Sequence, residues 1–187
     1  MQGGSGGAKL NQLIEQLQAN EAASRDQPGL PIKAVVFSQF RTMLSLVEAR
    51  LHAEGIPHVR VDGSVSSAQR TTRLDAFASA AAESPRVAVV SLKACGVGLN
   101  LVAASQVHLL DPWWNPMTED QAMDRVHRIG QRLPVRVFRY ISRGTIEERM
   151  LDLQNRKREL LERAFERRRP EDQQAARLAD IKLLMSL

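Results

Sequence analysis

The chain has 187 residues, 43% of them apolar and 25% charged, which suits one domain of about 150 residues with a real core and short extensions. A single cysteine, Cys95, excludes a disulfide framework within a monomer and makes a cysteine-based metal site unexpected; the usage fits a reducing compartment. No stretch approaches the roughly 18 apolar residues of a membrane span, and the formal charge of +5 is concentrated rather than spread.

The opening MQGGSGGAKL lacks an apolar signal core and reads as a flexible leader or as a cut through a longer protein, with poor order expected over the first 30 or so residues. Within them, residues 9–20 carry Leu10, Leu13, Ile14 and Leu17 at helical spacing before SRDQPGLP breaks the pattern. KAVVF (33–37) is a short buried strand, followed by a helix with Phe40, Leu44, Val47 and Leu51 on one face that Gly55 and Pro57 end; Phe40 is expected in the core. HVRV (58–61) is the second strand. The polar loop DGS (Asp62, Gly63, Ser64) follows, then a helix with Leu74, Phe77 and Ala81 on one face. RVAVVS (86–91) runs into the glycine-bearing loop KACGVGLN. QVHLLD (106–111) ends in DPWWNP, too rich in proline for a regular element. QAMDRVHRIG is read as a helix with Thr118 and Gln121 as its capping box and Gly130 as its stop. VRVFRYI (135–141) is the last strand, and a long helix from about Thr145 to Phe165 has its own box, Thr145 with Glu148, and an apolar stripe of Ile146, Met150, Leu153 and Leu160.

Five alternations of strand and helix imply an α/β fold, a parallel sheet with helices on both faces, whose ligands sit at the carboxyl ends of the strands. The order of the strands is not readable. The unusual loops, SQ, DGS, SLKACGVG and DPWWNP, all leave such ends, which argues for one shared site. The expected layout is an N-terminal helix and linker over 1–31, the α/β lobe over 32–165, and a basic segment with a short helix over 166–187.

From Arg125 to Arg169 there are 14 arginines and lysines against 6 acidic residues. Such a region can attract phosphate backbones or simply form a solvated face. If QAMDRVHRIG is helical, Arg125 and Arg128 share a face with Gln121 one turn earlier, while Ala122, Val126 and Ile129 point to the core. Two guanidiniums on one edge suit a phosphate chain, and a late-arriving arginine can stabilise charge in phosphoryl transfer. Spacing alone leaves open a pair of surface arginines bonded to Asp124 or Glu119. His127 by itself reads as a hydrogen-bonding residue.

VVFSQF (35–40), VDGSVSSAQR (61–70), VVSLKACGVGLNL (89–101), DPWWNP (111–116) and EDQAMDRVHRIGQ (119–131) occur in that order. Together they closely resemble the second RecA-like lobe of SNF2-family ATPases, over roughly residues 9–165, and the wording is most like the Rad5/HLTF-like branch. The resemblance implies that Arg128 is an arginine finger for ATP bound, with Mg2+, mainly by the other lobe. It implies that Arg125 and Gln121 face the same nucleotide cleft and that Gly98 lets the backbone approach the nucleotide. It implies a DNA track made by Ser38, Gln39, Arg70, Ser91, Lys93 and Trp114, with His127 coupling nucleotide to DNA and at least one of Trp113 and Trp114 anchoring its loop. Asp111 and Asn115 would organise that loop, with Asp111 also able to reach an arginine, and Asn100 would orient the preceding one. Cys95 departs from the family, which usually has glycine there; a Cβ constrains the loop if φ must be positive.

No GxxxxGK[ST] run and no DExH-type acidic box occurs in the 187 residues, so this chain alone is expected not to hydrolyse ATP. The resemblance implies a DNA-dependent translocase acting in chromatin remodelling or DNA repair. Its partners would be an N-terminal RecA-like lobe, double-stranded DNA and nucleosomes or histones. The location would be the nucleus, or the cytoplasm for a bacterial relative. The competing readings are an ATPase-inactive binding module for DNA or protein and the lobe of an RNA helicase; DPWWNP and the HRIGQ ending argue against the last.

Overall fold

The computed structural model describes residues 5–26 and 31–166. In chain order the elements are α1 (Ser5–Asp26), β1 (Ala34–Ser38), α2 (Arg41–Ala53), β2 (His58–Val61), α3 (Ser67–Ala78), β3 (Val87–Ser91), a short 3₁₀ turn (Leu92–Val97), β4 (Gln106–Leu109), α4 (Pro116–Met123), β5 (Arg136–Arg139) and α5 (Ile146–Glu166). The basic segment 166–187 expected from sequence lies, past Glu166, outside the described residues.

The strands form one sheet in the order β2-β3-β1-β4-β5, every pair parallel. Successive side chains of a strand point to opposite faces, so β1 feeds two cores. Val35 and Phe37 join Val61, Phe77, Val90, Val107, Ala122 and Val126 beneath α3 and α4. Ala34 and Val36 join Leu13, Ile14, Leu17, Leu44, Val47, Leu51 and Val89 beneath α1 and α2. The chain leaves β1 towards the α2 face, whereas it leaves β3 and β4 towards the other, so the sheet has its switch points on either side of β1, where crevices open.

Several expectations need correction. The first 30 residues are not poorly ordered throughout: α1 is a 22-residue helix whose Leu13, Ile14 and Leu17 are buried. Its Lys9 ammonium donates to Leu110 O (2.7 Å) and pairs with Glu147, and Asn20 exchanges two hydrogen bonds with Gln106. Burial of three large apolar side chains and these polar ties outweigh the glycine-rich start. Phe40 is not core. It sits one residue before α2 in an extended conformation, off the helical face, and is 54% exposed. Ala81 lies beyond the end of α3 and is exposed. β5 is an edge strand, mostly solvent-facing rather than covered on both sides.

α4 begins at Pro116 rather than after Thr118. Asn115 is the N-cap, its side-chain oxygen accepting from Met117 N (3.3 Å), and proline suits the first helical position because that N–H has no helical partner. The helix also stops at Met123, before both arginines. Arg125 and Val126 donate to the carbonyls three residues back, and Arg128 to the one two back, so the segment tightens and unwinds. Arg125 O is taken by Leu101 N (3.0 Å), and Val126 O by the Gln131 side chain (3.3 Å). Those are carbonyls that a continuing helix would need. Arg125 and Arg128 therefore do not share a helical face.

Candidate functional site

The register of the sheet sets the site. Ser38 lies opposite Ser91, and Phe37 opposite Leu109, so the loops after β1, β3 and β4 leave the sheet at one level. At the β1–β4 crevice Asp111 is buried and accepts from the Ser38 hydroxyl and from Gln39 N (3.0 Å). Burial pushes the Asp111 carboxyl above its ordinary range, against the pull of the hydrogen bonds from Ser38 and Gln39 and the charge of Lys9. The Ser38 hydroxyl also accepts from Phe40 N (3.0 Å), which turns the chain into α2. Ser38 is fully buried, while Gln39 is half-exposed with its amide near Pro112 O (3.5 Å).

After β3, Ser91 is buried and Lys93 is exposed on the 3₁₀ turn. Cys95 is buried, with its thiol directed at Ser91 O (3.7 Å). Burial raises the thiol to about 12, more than the nearby Arg125 charge lowers it, so it is no nucleophile. Positive φ occurs only at glycines among the described residues, so the Cβ of Cys95 imposes no strain on this loop. Gly98 is left-handed (φ +62°) and no atom lies within 4 Å of where its Cβ would stand. The backbone conformation calls for glycine there, and the space beside it is open. The Asn100 side chain accepts from Val102 N (3.4 Å) and so steadies the end of the loop.

Leu101 N donates to Arg125 O, which fastens this loop to the segment after α4. Arg125 is half-buried, and its Nε is enclosed without an acceptor among the described residues. Gln121, His127 and Arg128 are exposed. Gln131 donates to Val102 O (3.1 Å) and Ala104 O (2.6 Å) as well as Val126 O, and accepts from Leu133 N (2.9 Å), which pins the end of the segment. On α3, Arg70 is half-buried and its Nε likewise has no acceptor among the described residues. Asp62 is buried beside Arg60. Against the effect of burial, hydrogen bonds from Ser64 and the Arg60 guanidinium hold its carboxyl down at about 2. Asp62 is thereby committed to its own loop.

The DPWWNP loop is organised by residues that sequence reasoning passed over. The Glu119 carboxylate, 1% exposed, accepts from Trp113 N (2.8 Å) and from the Gln154 amide (2.6 Å) and pairs with Arg139 (3.3 Å). Gln154 also donates to Trp113 O. Trp113 is half-buried and Trp114 is 51% exposed, with the Lys157 ammonium 4.0 Å from the centre of its ring. Asp111 reaches Ser38 and Gln39 rather than an arginine. The signal for Gln154 was its place inside the apolar stripe of α5, where a buried amide demands partners. Thr145 does begin α5, accepting from Glu147 N (3.2 Å), but Glu148 reaches Gly144 N (3.1 Å) instead of closing the box, and Ile146 is exposed. Among the described residues no group of histidine, cysteine, aspartate and glutamate could hold a metal ion, and no helix is long and apolar enough to cross a membrane.

A parallel sheet with helices on both faces, and loops gathered at one edge, is an α/β lobe of RecA type. Residues 9–130 match the family "Helicase conserved C-terminal domain". The chain is 45% identical over 158 residues to the helicase-like transcription factor of Homo sapiens, covering 83% of this chain and 16% of that protein. It is 46% identical over 153 residues to the DNA repair protein RAD5 of Cryptococcus neoformans, covering 82% of this chain and 12% of that one. The solved C-terminal part of the Fun30 ATPase domain aligns with a TM-score of 0.71 at 30% identity, over 78% of this chain and 44% of that chain. The chain spans a fifth or less of the length of the curated relatives it matches. It belongs to the helicase C-terminal domain family and is an SNF2-type lobe closely related to Rad5- and HLTF-like proteins.

Proposed function

We propose that this chain is the second motor lobe of an ATP-dependent translocase on double-stranded DNA, acting in chromatin remodelling or DNA repair. The observation that carries the reading is the condition of the two arginines. Among the described residues Arg125 has an enclosed Nε with no acceptor, and Arg128 is exposed with no ion pair. Leu101 N, three residues past Gly98, donates to Arg125 O and ties the arginine segment to that loop. Cationic groups that their own lobe leaves unused are suited to an anion supplied from outside it. That anion is ATP, held with Mg2+ mainly by a separate N-terminal lobe. Closure brings Arg128 to the γ-phosphate, where its charge offsets that developing in the transition state. Arg125, Gln121 and Gly98 complete the near side of the cleft.

The DNA track runs along the carboxyl edge of the sheet. Gln39, Lys93, Arg70 and Trp114 are accessible enough to touch a backbone, while Ser38 and Ser91 support the rim from beneath. Contacts of this kind are weakly sequence-dependent and sensitive to salt. The lobe proper spans 32–165 and α1 is its cover. The names of the relatives, a helicase-like transcription factor and a DNA repair protein, support a nuclear location and chromatin, including histones, as a partner.

The test is ATP hydrolysis by the two-lobed parent, with and without duplex DNA, comparing wild type with Arg128→Ala. We expect DNA-stimulated turnover to fall by about a thousandfold or more while ATP still binds. Absence of stimulation, or unchanged turnover in the variant, would leave a binding module in place of a motor.

A further inference from the structure

Trp114 is half in solvent on a proline-rich loop, yet the loop is not free. Three residues of α5 grip it and the helix it leads into. Gln154 donates to Trp113 O and to Glu119, Lys157 lies over the Trp114 ring at 4.0 Å, and Arg158 bonds Asp120 (2.7 Å). At spacings of three and four these residues share one face of α5. Glu119 completes the grip by accepting from Trp113 N, so the backbone of Trp113 is held at both its N–H and its C=O.

We propose that Gln154 and Lys157 are positioning residues for Trp114: α5 is the seat on which the indole is presented to duplex DNA. The geometry fixes how the ring is used. One face is covered by an ammonium, so the indole cannot slide between two bases with both faces stacked. One face and one edge remain for a sugar or a strand backbone. Because Glu119 lies in α4, just ahead of Arg125, the same grip joins the tryptophan to the segment that carries the arginines.

This inference rests on the DNA reading of the Trp114 loop, and the experiment separates the two. The chain has two tryptophans, so in a Trp113→Phe background Trp114 is the sole indole, and the substitution leaves the backbone bonds of residue 113 in place. Quenching by acrylamide, which is uncharged and so indifferent to the loss of an ammonium, and fluorescence anisotropy are measured on the 187-residue chain without DNA. Lys157→Met and Gln154→Leu are expected to raise quenching and loosen the ring, and Lys157→Arg to restore the native values. Binding to a labelled duplex of about 20 base pairs is then measured across salt concentrations. Lys157→Met and Trp114→Ala should each weaken it about two- to tenfold. The double variant should be little worse than Trp114→Ala alone, because Lys157 acts largely through the ring. Unchanged quenching in both α5 variants, or losses that multiply in full, would overturn the proposal. If quenching responds as expected but Trp114→Ala binds DNA normally, the seat stands and the DNA reading of this loop fails.

Discussion

His108 is fully buried on β4, and its hydrogen bonds fit one protonation state. Its Nε2 lies 3.2 Å from Gln106 Oε1, an acceptor, so Nε2 carries the proton and Nδ1 accepts from the Tyr140 hydroxyl at 2.9 Å. Gln106 in turn exchanges bonds with Asn20 of α1, and Phe138 stacks on the imidazole at 4.8 Å. Burial lowers the His108 pKa from 6.5 to about 4 and raises that of Tyr140 to about 12. The folded state resists a proton that the unfolded chain accepts readily. Stability is therefore complete above pH 6.5 and is lost as pH falls towards 4. The gap converts to about 3 kcal/mol in full, with about 1 kcal/mol already gone at pH 5.5. For a domain stable by about 5–15 kcal/mol this is a large share. Urea midpoints between pH 7.5 and 5 measure it, with His108→Gln as the comparison, since that variant keeps a donor and an acceptor but cannot titrate. The wild type should lose stability with a slope that His108→Gln lacks. Parallel curves would refute the assignment of a neutral, buried imidazole. Asp62, held at about 2, acts in a separate window below its ordinary value of 3.8 and does not interfere.

Leu13→Ala in α1 should cost about 2–5 kcal/mol, read as a melting temperature lower by about 5–15 °C, because the side chain is wholly buried against the sheet. A shift near zero would mean that α1 does not cover the core in solution. Gly98→Ala should cost about 1–2 kcal/mol of backbone strain without any clash, and a chemical melt that matches wild type would contradict the left-handed turn. Ser38→Ala should destabilise by about 1–3 kcal/mol, since it leaves buried Asp111 short of a donor, while the salt dependence of DNA binding stays unchanged. A reduced salt slope would show instead that the hydroxyl itself meets phosphate.

The strands were legible because β-branched runs such as VVF and VAVV have little reason to exist outside a covered sheet. Their order was not, since nothing local tells β1 that β3 and β4 will flank it. The exposed β5 also escaped reading, because VRVF looks like any buried strand until its position at the edge is known. Around the site, residue types were informative and local conformation was not. MDRVHRIG has helical periodicity, yet Leu101 N and the Gln131 amide take the carbonyls that would have continued the helix. Those donors lie 24 residues earlier and 5 later in sequence, so the outcome belongs to tertiary structure. Similarly, Ser38 looked available from its place at a strand end, and only the depth of Asp111 reveals that it is occupied.

The placement of β1 has a consequence for how the chain acquires its shape. It is the first strand to be made and the central one in the finished sheet, with β3 and β4 on its two sides. Val35, Val36 and Phe37 therefore emerge during synthesis with neither edge satisfied, and the second partner arrives only about 70 residues later. Every pairing in the sheet is of this distant kind, with no hairpin to nucleate it, so folding should be slow and late. At the synthesis rates of cells that interval is several seconds, during which an apolar strand with open hydrogen-bonding edges is free to meet another chain. The arrangement that puts the crevices on either side of β1 also makes the nascent lobe a natural client for chaperones.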